Sequence, residues 1–161
     1  MNKRILITGA TGFVGSQVVH HLAKHDVRLT VIVREGKQQM FEDHASIERV
    51  LTTPDLFAET GEWWVRALQG IDTVIHIAWY AEPGKYLQSP KNLDCLQGTL
   101  TMAKGAVQSS SVRRFIGIGT CFEYDLTHGI LSVETRLKPL TVYAGAKAAA
   151  YMALSQFMPA Q

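Results

Sequence analysis

Residues Arg4–Gly15 read "RILITGATGFVG", a run of branched apolar side chains that stops at a glycine. Two more glycines follow at three-residue spacing, giving Gly9, Gly12 and Gly15, and apolar periodicity resumes at Val14. Arg4–Thr8 has the length and apolar character of a buried strand, while Val14, Val18, Val19 and Leu22 recur at helical spacing until His25-Asp26 breaks the pattern. The stretch therefore predicts strand, glycine turn, helix.

The same alternation continues along the chain. "RLTVIV" (Arg28–Val33), "RVL" (Arg49–Leu51), "TVIHIA" (Thr73–Ala78) and "RFIGIG" (Arg114–Gly119) predict four more strands. Helix-length segments lie between or after them, at about Trp63–Leu68, Thr99–Gln108 and Thr141–Phe157. Strands that are apolar without polar alternation belong to a sheet covered on both faces, which is the habit of parallel sheets. The expected fold is thus α/β, a doubly wound parallel sheet of the Rossmann type, as one domain over residues 1–161. A sheet of five strands whose last helix has just formed predicts part of a larger unit, C-terminally incomplete.

Composition excludes several alternatives. With 47% apolar and 19% charged residues among 161, the chain is that of a folded globular domain and not a disordered tail. A net charge of +2 and no basic run longer than Arg113-Arg114 argue against a nucleic-acid partner. No stretch approaches the ~18 apolar residues that cross a bilayer, and Thr8-Gly9 interrupt the apolar start too early for a signal peptide. Cys95 and Cys121 stand in no metal-ligand or redox spacing, so two reduced thiols, no metal and a cytoplasmic location are expected.

Glycines at such a turn serve distinct ends in a dinucleotide-binding βα unit. One permits the tight turn, one lets the backbone approach a pyrophosphate, and one lets helix and strand pack closely, with the phosphates on the helix N-terminus. About nineteen residues past Gly15, where such folds read the adenosine ribose and an acidic side chain would repel a 2′-phosphate, the sequence has Val33 followed by Arg34, with Lys37 beyond. NADP(H) is therefore expected over NAD(H). In "YAGAK", Tyr143 and Lys147 lie four apart on one helix face, where an ammonium would lower the phenol from its usual ~10 and let it act as general acid and base.

In these residues the chain resembles the extended short-chain dehydrogenase/reductase family, the NAD(P)-dependent nucleotide-sugar epimerases, dehydratases and 4-ketoreductases. The matches are "TGATGFVG", "GIDTVIHIAW", Gly98-Thr99, "RRFIGIGTCFEY", Glu134, Pro139 and "YAGAK", in order along essentially the whole chain. The resemblance implies a catalytic set of Thr120, Tyr143 and Lys147, with Thr120 bonding the reacting sugar oxygen, Tyr143 moving the proton and Lys147 holding the nicotinamide ribose. It implies that Gly9, Thr11, Gly12, Phe13, Val14 and Gly15 cradle the pyrophosphate. Arg34 would face the 2′-phosphate, Asp55-Leu56 the adenine, and Ile77, Ala78 and Trp79 the central ribose and phosphates. It further implies hydride transfer to or from a nucleotide sugar, a homodimer through the helices starting near Thr99 and Thr141, and the absence of the C-terminal substrate-binding portion that completes the family's sheet. Two alternatives accompany it: an NADP-dependent reductase of a non-sugar carbonyl compound, similar to dihydroflavonol reductases, and a non-catalytic NADP-binding module. Cys95 departs from the family, which often has asparagine at that position, with Asn92 displaced; His76 is expected as a hydrogen-bonded core residue.

Overall fold

The computed structural model describes residues 2–41 and 44–158, so the ends of the expected domain, Met1 and 159–161, lie outside the described residues. Five strands, β1 (Lys3–Thr8), β2 (Val27–Arg34), β3 (Ile47–Thr53), β4 (Thr73–His76) and β5 (Arg114–Gly117), form one sheet in the order β3-β2-β1-β4-β5. Every pairing is parallel. The helices are α1 (Phe13–Leu22), α2 (Gly61–Ala67), α3 (Lys91–Gln108) and α4 (Val142–Phe157). This is the doubly wound Rossmann arrangement expected from the alternation.

Alternate residues of the central strand feed two apolar layers. Leu6 joins Ile32, Val74 and residues of α2 and α3, among them Trp64, Leu68, Met102 and Ala106. Ile5 and Ile7 join Val31, Val33 and Val19 of α1 on the other face. Because Leu6 and Ile7 are both fully buried, β1 has no solvent face, which is why its sequence shows no alternation.

Element ends differ from expectation for local reasons. β4 stops at His76, not Ala78, because the N–H groups of Ile77 and Ala78 donate to the Thr8 hydroxyl instead of a neighbouring strand. β5 stops at Gly117, not Gly119, where the chain turns toward a 3-10 turn at Cys121–Glu123. α3 begins at Lys91, eight residues before the expected Thr99. Its buried face continues back through Gly98, Cys95 and Asn92, residues that no apolar pattern marks. Thr60 and Thr141 cap α2 and α4 by accepting the Trp63 and Ala144 N–H groups.

Gly98 is required by packing: a Cβ there would lie 2.5 Å from the Phe57 Cα. Gly145, on α4, would meet nothing within 4 Å. Gly98→Ala should therefore lower the unfolding free energy by about 1–3 kcal/mol through overpacking. Gly145→Ala should raise it by about 0.5–1 kcal/mol through helix propensity. Urea unfolding of both variants checks the pair.

Candidate active site

The sheet order reverses at β1, so the loops after β1 and β4 leave the sheet side by side in opposite senses, the place where open α/β sheets form their crevice. Gly9 has φ +72°, and a Cβ on it would sit 2.7 Å from the Ala78 nitrogen. A Cβ on Gly15 would overlap the Gly9 carbonyl oxygen. The first and third glycines thus serve contacts within the chain. Gly12 is different, since its nearest obstacle is the Gly9 oxygen at 3.3 Å and the remaining space is open. It stands at the start of α1, whose first turn holds no capping side chain and no acidic residue. Uncapped N–H groups and the helix dipole favour an anion there. Thr11, Phe13 and Val14 are exposed around this opening, Phe13 at 90%.

At the adenine end of the expected site, Arg34 closes β2 and is exposed, with no hydrogen bond or ion pair from its side chain among the described residues. Asp55 caps a short 3-10 turn by accepting the Phe57 N–H at 2.9 Å, and Leu56 packs half-buried on the core.

Thr120, Tyr143 and Lys147 meet beyond the C-terminal end of β5. Thr120 is held by a reciprocal cap: its N–H donates to Glu123 Oε1 at 2.7 Å while its hydroxyl accepts the Phe122 N–H. Thr120 also lies near enough to the Tyr143 phenol to favour its ionised form. Lys147 lies one turn along α4, only 7% exposed. Its Nζ donates to the Ile118 carbonyl at 2.7 Å and sits 4.0 Å from the centroid of the Trp79 ring.

These placements correct one expectation. The Tyr143 phenol is pushed up, not down, because burial outweighs the lowering influence of the nearby Thr120, with Tyr86, Glu123 and Cys121 adding to the rise. Lys147 does not lower it, being committed to the Ile118 carbonyl and the Trp79 face. Burial brings Lys147 itself down to about 8, against the pull of Glu123 and Cys95 that favours its charge. Glu123 was not singled out from sequence, although Thr120-x-x-Glu123 carries the capping-box spacing that could have marked it. It is buried, with its carboxyl pushed up by desolvation.

A cavity of about 660 Å³ lies along β5 and α4, bounded by Trp79, Thr120, Glu123, Lys147, Tyr151 and Leu154 among others. Neither Tyr143 nor the glycine turn lines it. Cys95 is buried, its thiol raised to about 11 by desolvation, and accepts the Tyr80 N–H; both cysteines are free. Among the described residues no helix is long and apolar enough to cross a membrane, and no His, Cys, Asp and Glu group could hold a metal.

A family model described as the NAD dependent epimerase/dehydratase family matches residues 5–160. The chain belongs to this family. An epimerase family protein of Staphylococcus haemolyticus is 34% identical over 91 residues, 56% of this chain and 27% of its own length. Among solved structures, the UDP-Glc/GlcNAc 4-epimerase of Campylobacter jejuni superposes with a TM-score of 0.82 at 20% identity, over 97% of this chain and 49% of that one. MoeE5, solved with UDP-glucuronic acid and NAD, is 28% identical with a TM-score of 0.77, over 96% of this chain and 49% of its own. The chain thus spans about half the length of these two solved structures.

His76, one position before the Ile77-Ala78 loop, is a core residue here. Thr99 Oγ1 donates to the Cys95 carbonyl at 2.7 Å, so it accepts from His76 Nε2–H at 2.9 Å. Nδ1 then accepts from Thr8 Oγ1 at 2.7 Å, and both ring nitrogens are satisfied in the neutral form. Burial, and to a smaller extent Lys147, lowers its pKa from 6.5 to about 3. The folded state therefore refuses a proton that the unfolded chain binds below about pH 6.5. Stability should fall as pH drops through that value, by about 1.4 kcal/mol per unit from this group. Urea unfolding at pH 7 and pH 5 should show a smaller acid loss in His76→Gln than in wild type, and equal losses would contradict the assignment.

Proposed function

We propose that the chain binds a nicotinamide dinucleotide across the β1/β4 crevice and carries the acid–base residues of an epimerase, dehydratase or ketoreductase of nucleotide sugars. The observation that carries this reading is the convergence of Thr120, Tyr143 and Lys147 beside a glycine turn whose middle member is open to a ligand. The pyrophosphate would rest on the first-turn N–H groups of α1 over Gly12, the adenine beside Asp55-Leu56, and the central ribose and phosphates beside the Ile77–Trp79 backbone. MoeE5, the 28% identical relative solved with a UDP-sugar and NAD, supports both cofactor and substrate class.

When bound, the nicotinamide supplies or accepts the hydride. The protein's part is the proton. Tyr143 Oη, protonated because burial raises the phenol, donates to the substrate carbonyl oxygen as the carbon gains hydride, and takes a proton back in the reverse direction. Thr120, near the same phenol, would orient that oxygen. Lys147 leaves the Ile118 carbonyl for the nicotinamide ribose, and its approach lowers the phenol.

Within this reading we favour NADP(H) over NAD(H), because Arg34 closes β2 exposed and without a side-chain partner among the described residues. A location in the cytoplasm and a homodimer through α3 and α4 complete the proposal; Leu93 and Val107 on α3, and Tyr151, Met152 and Phe157 on α4, leave apolar surface outward for it. The apolar cavity lining of Trp79, Phe115, Leu154 and Met158 supports a second reading, a reductase of a flat non-sugar carbonyl compound.

Calorimetric titration with NADPH and NADH tests the cofactor. Tighter NADPH binding, lost in Arg34→Ala, is expected; equal affinities, or binding of neither, would contradict it. In the whole protein, Tyr143→Phe should keep cofactor affinity within about twofold while turnover of a 4-keto nucleotide sugar falls by about 10²–10⁴. Turnover confined to a non-sugar ketone would favour the second reading.

A further inference from the structure

Asn92 is 0% exposed, yet every polar atom of its side chain is engaged. Its Oδ1 accepts from Trp79 Nε1 at 2.8 Å, and its Nδ2 donates to the carbonyls of Tyr86 at 2.6 Å and Ser89 at 2.8 Å. The two carbonyl bonds are local and could serve merely to close the turn before α3. The third reaches thirteen residues back to an indole. Following each partner outward leads to the same helix. The Trp79 ring carries the Lys147 ammonium on its face, 4.0 Å from the centroid. The Tyr86 ring meets the Tyr143 ring edge-on, with centroids 4.8 Å apart and planes at 88°.

We propose that Asn92 is a positioning residue that sets both members of the Tyr143/Lys147 pair through two aromatic rings, one on each. The inference rests on the reading of that pair as the reacting groups, and it adds a buried amide outside the glycine turn and the catalytic set. An aliphatic residue at position 92 would keep the packing volume but release the indole and the 3-10 turn at Tyr86–Gln88 together. The charged and titratable groups facing Lys147 are Glu123 from the turn after β5, Cys95 from α3 and His76 from β4, and the Asn92 side chain hydrogen-bonds none of them.

The test uses the cofactor-free chain and ¹³Cε-lysine NMR, which reads the Lys147 ammonium directly. In wild type its midpoint is expected near 8. Asn92→Leu should move it up by one unit or more toward the ~10.5 of a solvated lysine, with the Tyr143 ring resonances displaced as well. A midpoint that stays in place while only the melting temperature falls would overturn the proposal, because a purely structural Asn92 predicts that result. Should Asn92→Leu not fold, the chain with 3-benzothienylalanine in place of Trp79 decides: sulfur replaces the indole N–H and the ring face is kept. An upward shift supports the coupling, and no shift overturns it. NADH and NADPH titration of wild type separates the two levels. A chain that binds neither, with Lys147 still moved by Asn92→Leu, retires the dinucleotide reading and supports the coupling; an unmoved Lys147 in a chain that binds dinucleotide overturns the coupling alone.

Discussion

The backbone of Gly9 lies against the backbone of Ala78, closer than any side chain would permit, and this contact joins the ends of β1 and β4 where the sheet changes direction. The contact is held by the residue before the glycine. The Thr8 hydroxyl accepts the N–H groups of Ile77 and Ala78 and donates to His76, whose other nitrogen donates to Thr99 on α3. One buried network therefore ties the glycine turn, the loop after β4 and α3 together. With Gly15 seating α1 on the Gly9 carbonyl, the open space over Gly12 is defined by neighbours that cannot move independently.

The end that carries Tyr143 and Lys147 is organised by an opposite principle. Lys147 is buried without an ion pair among the described residues, and it is stabilised only by a carbonyl, a ring face and the distant pull of Glu123. Burying an ammonium so incompletely compensated works against folding at neutral pH. Such a group has reason to move when a polar ligand arrives, and Tyr143, one turn away, is raised while Lys147 is turned from it. A rigid glycine turn and an under-satisfied lysine are what the proposed dinucleotide site would need in order to be completed by its ligand.

Legibility in the sequence followed side-chain chemistry. The five strands and the glycine turn were readable because uniform apolar runs and missing Cβ atoms follow directly from burial on two faces and from backbone approach. Tyr143 and Lys147 stood out as types at a spacing, while Thr120 came only from the family resemblance. The first two turns of α3 were not, since Asn92 and Cys95 face the core through hydrogen bonds and no apolar periodicity marks them. The direction of the Tyr143 shift was not legible either, because it depends on where the Lys147 ammonium points, and that is set by Ile118 and Trp79 from two other segments. Cys95 fills its family-variant position as a buried acceptor for the Tyr80 N–H, while the nearby Asn92 supports aromatic rings.

The central claim is that the crevice between β1 and β4 is a dinucleotide site whose occupation draws Lys147 from its resting place. A crystal structure of the chain grown with NADPH or NAD tests it most directly. The account predicts a pyrophosphate on the Phe13 and Val14 N–H groups above Gly12, with Lys147 Nζ moved off the Trp79 ring. A dinucleotide bound elsewhere, or bound at Gly12 with Lys147 still on the Ile118 carbonyl and the Trp79 face, would contradict it.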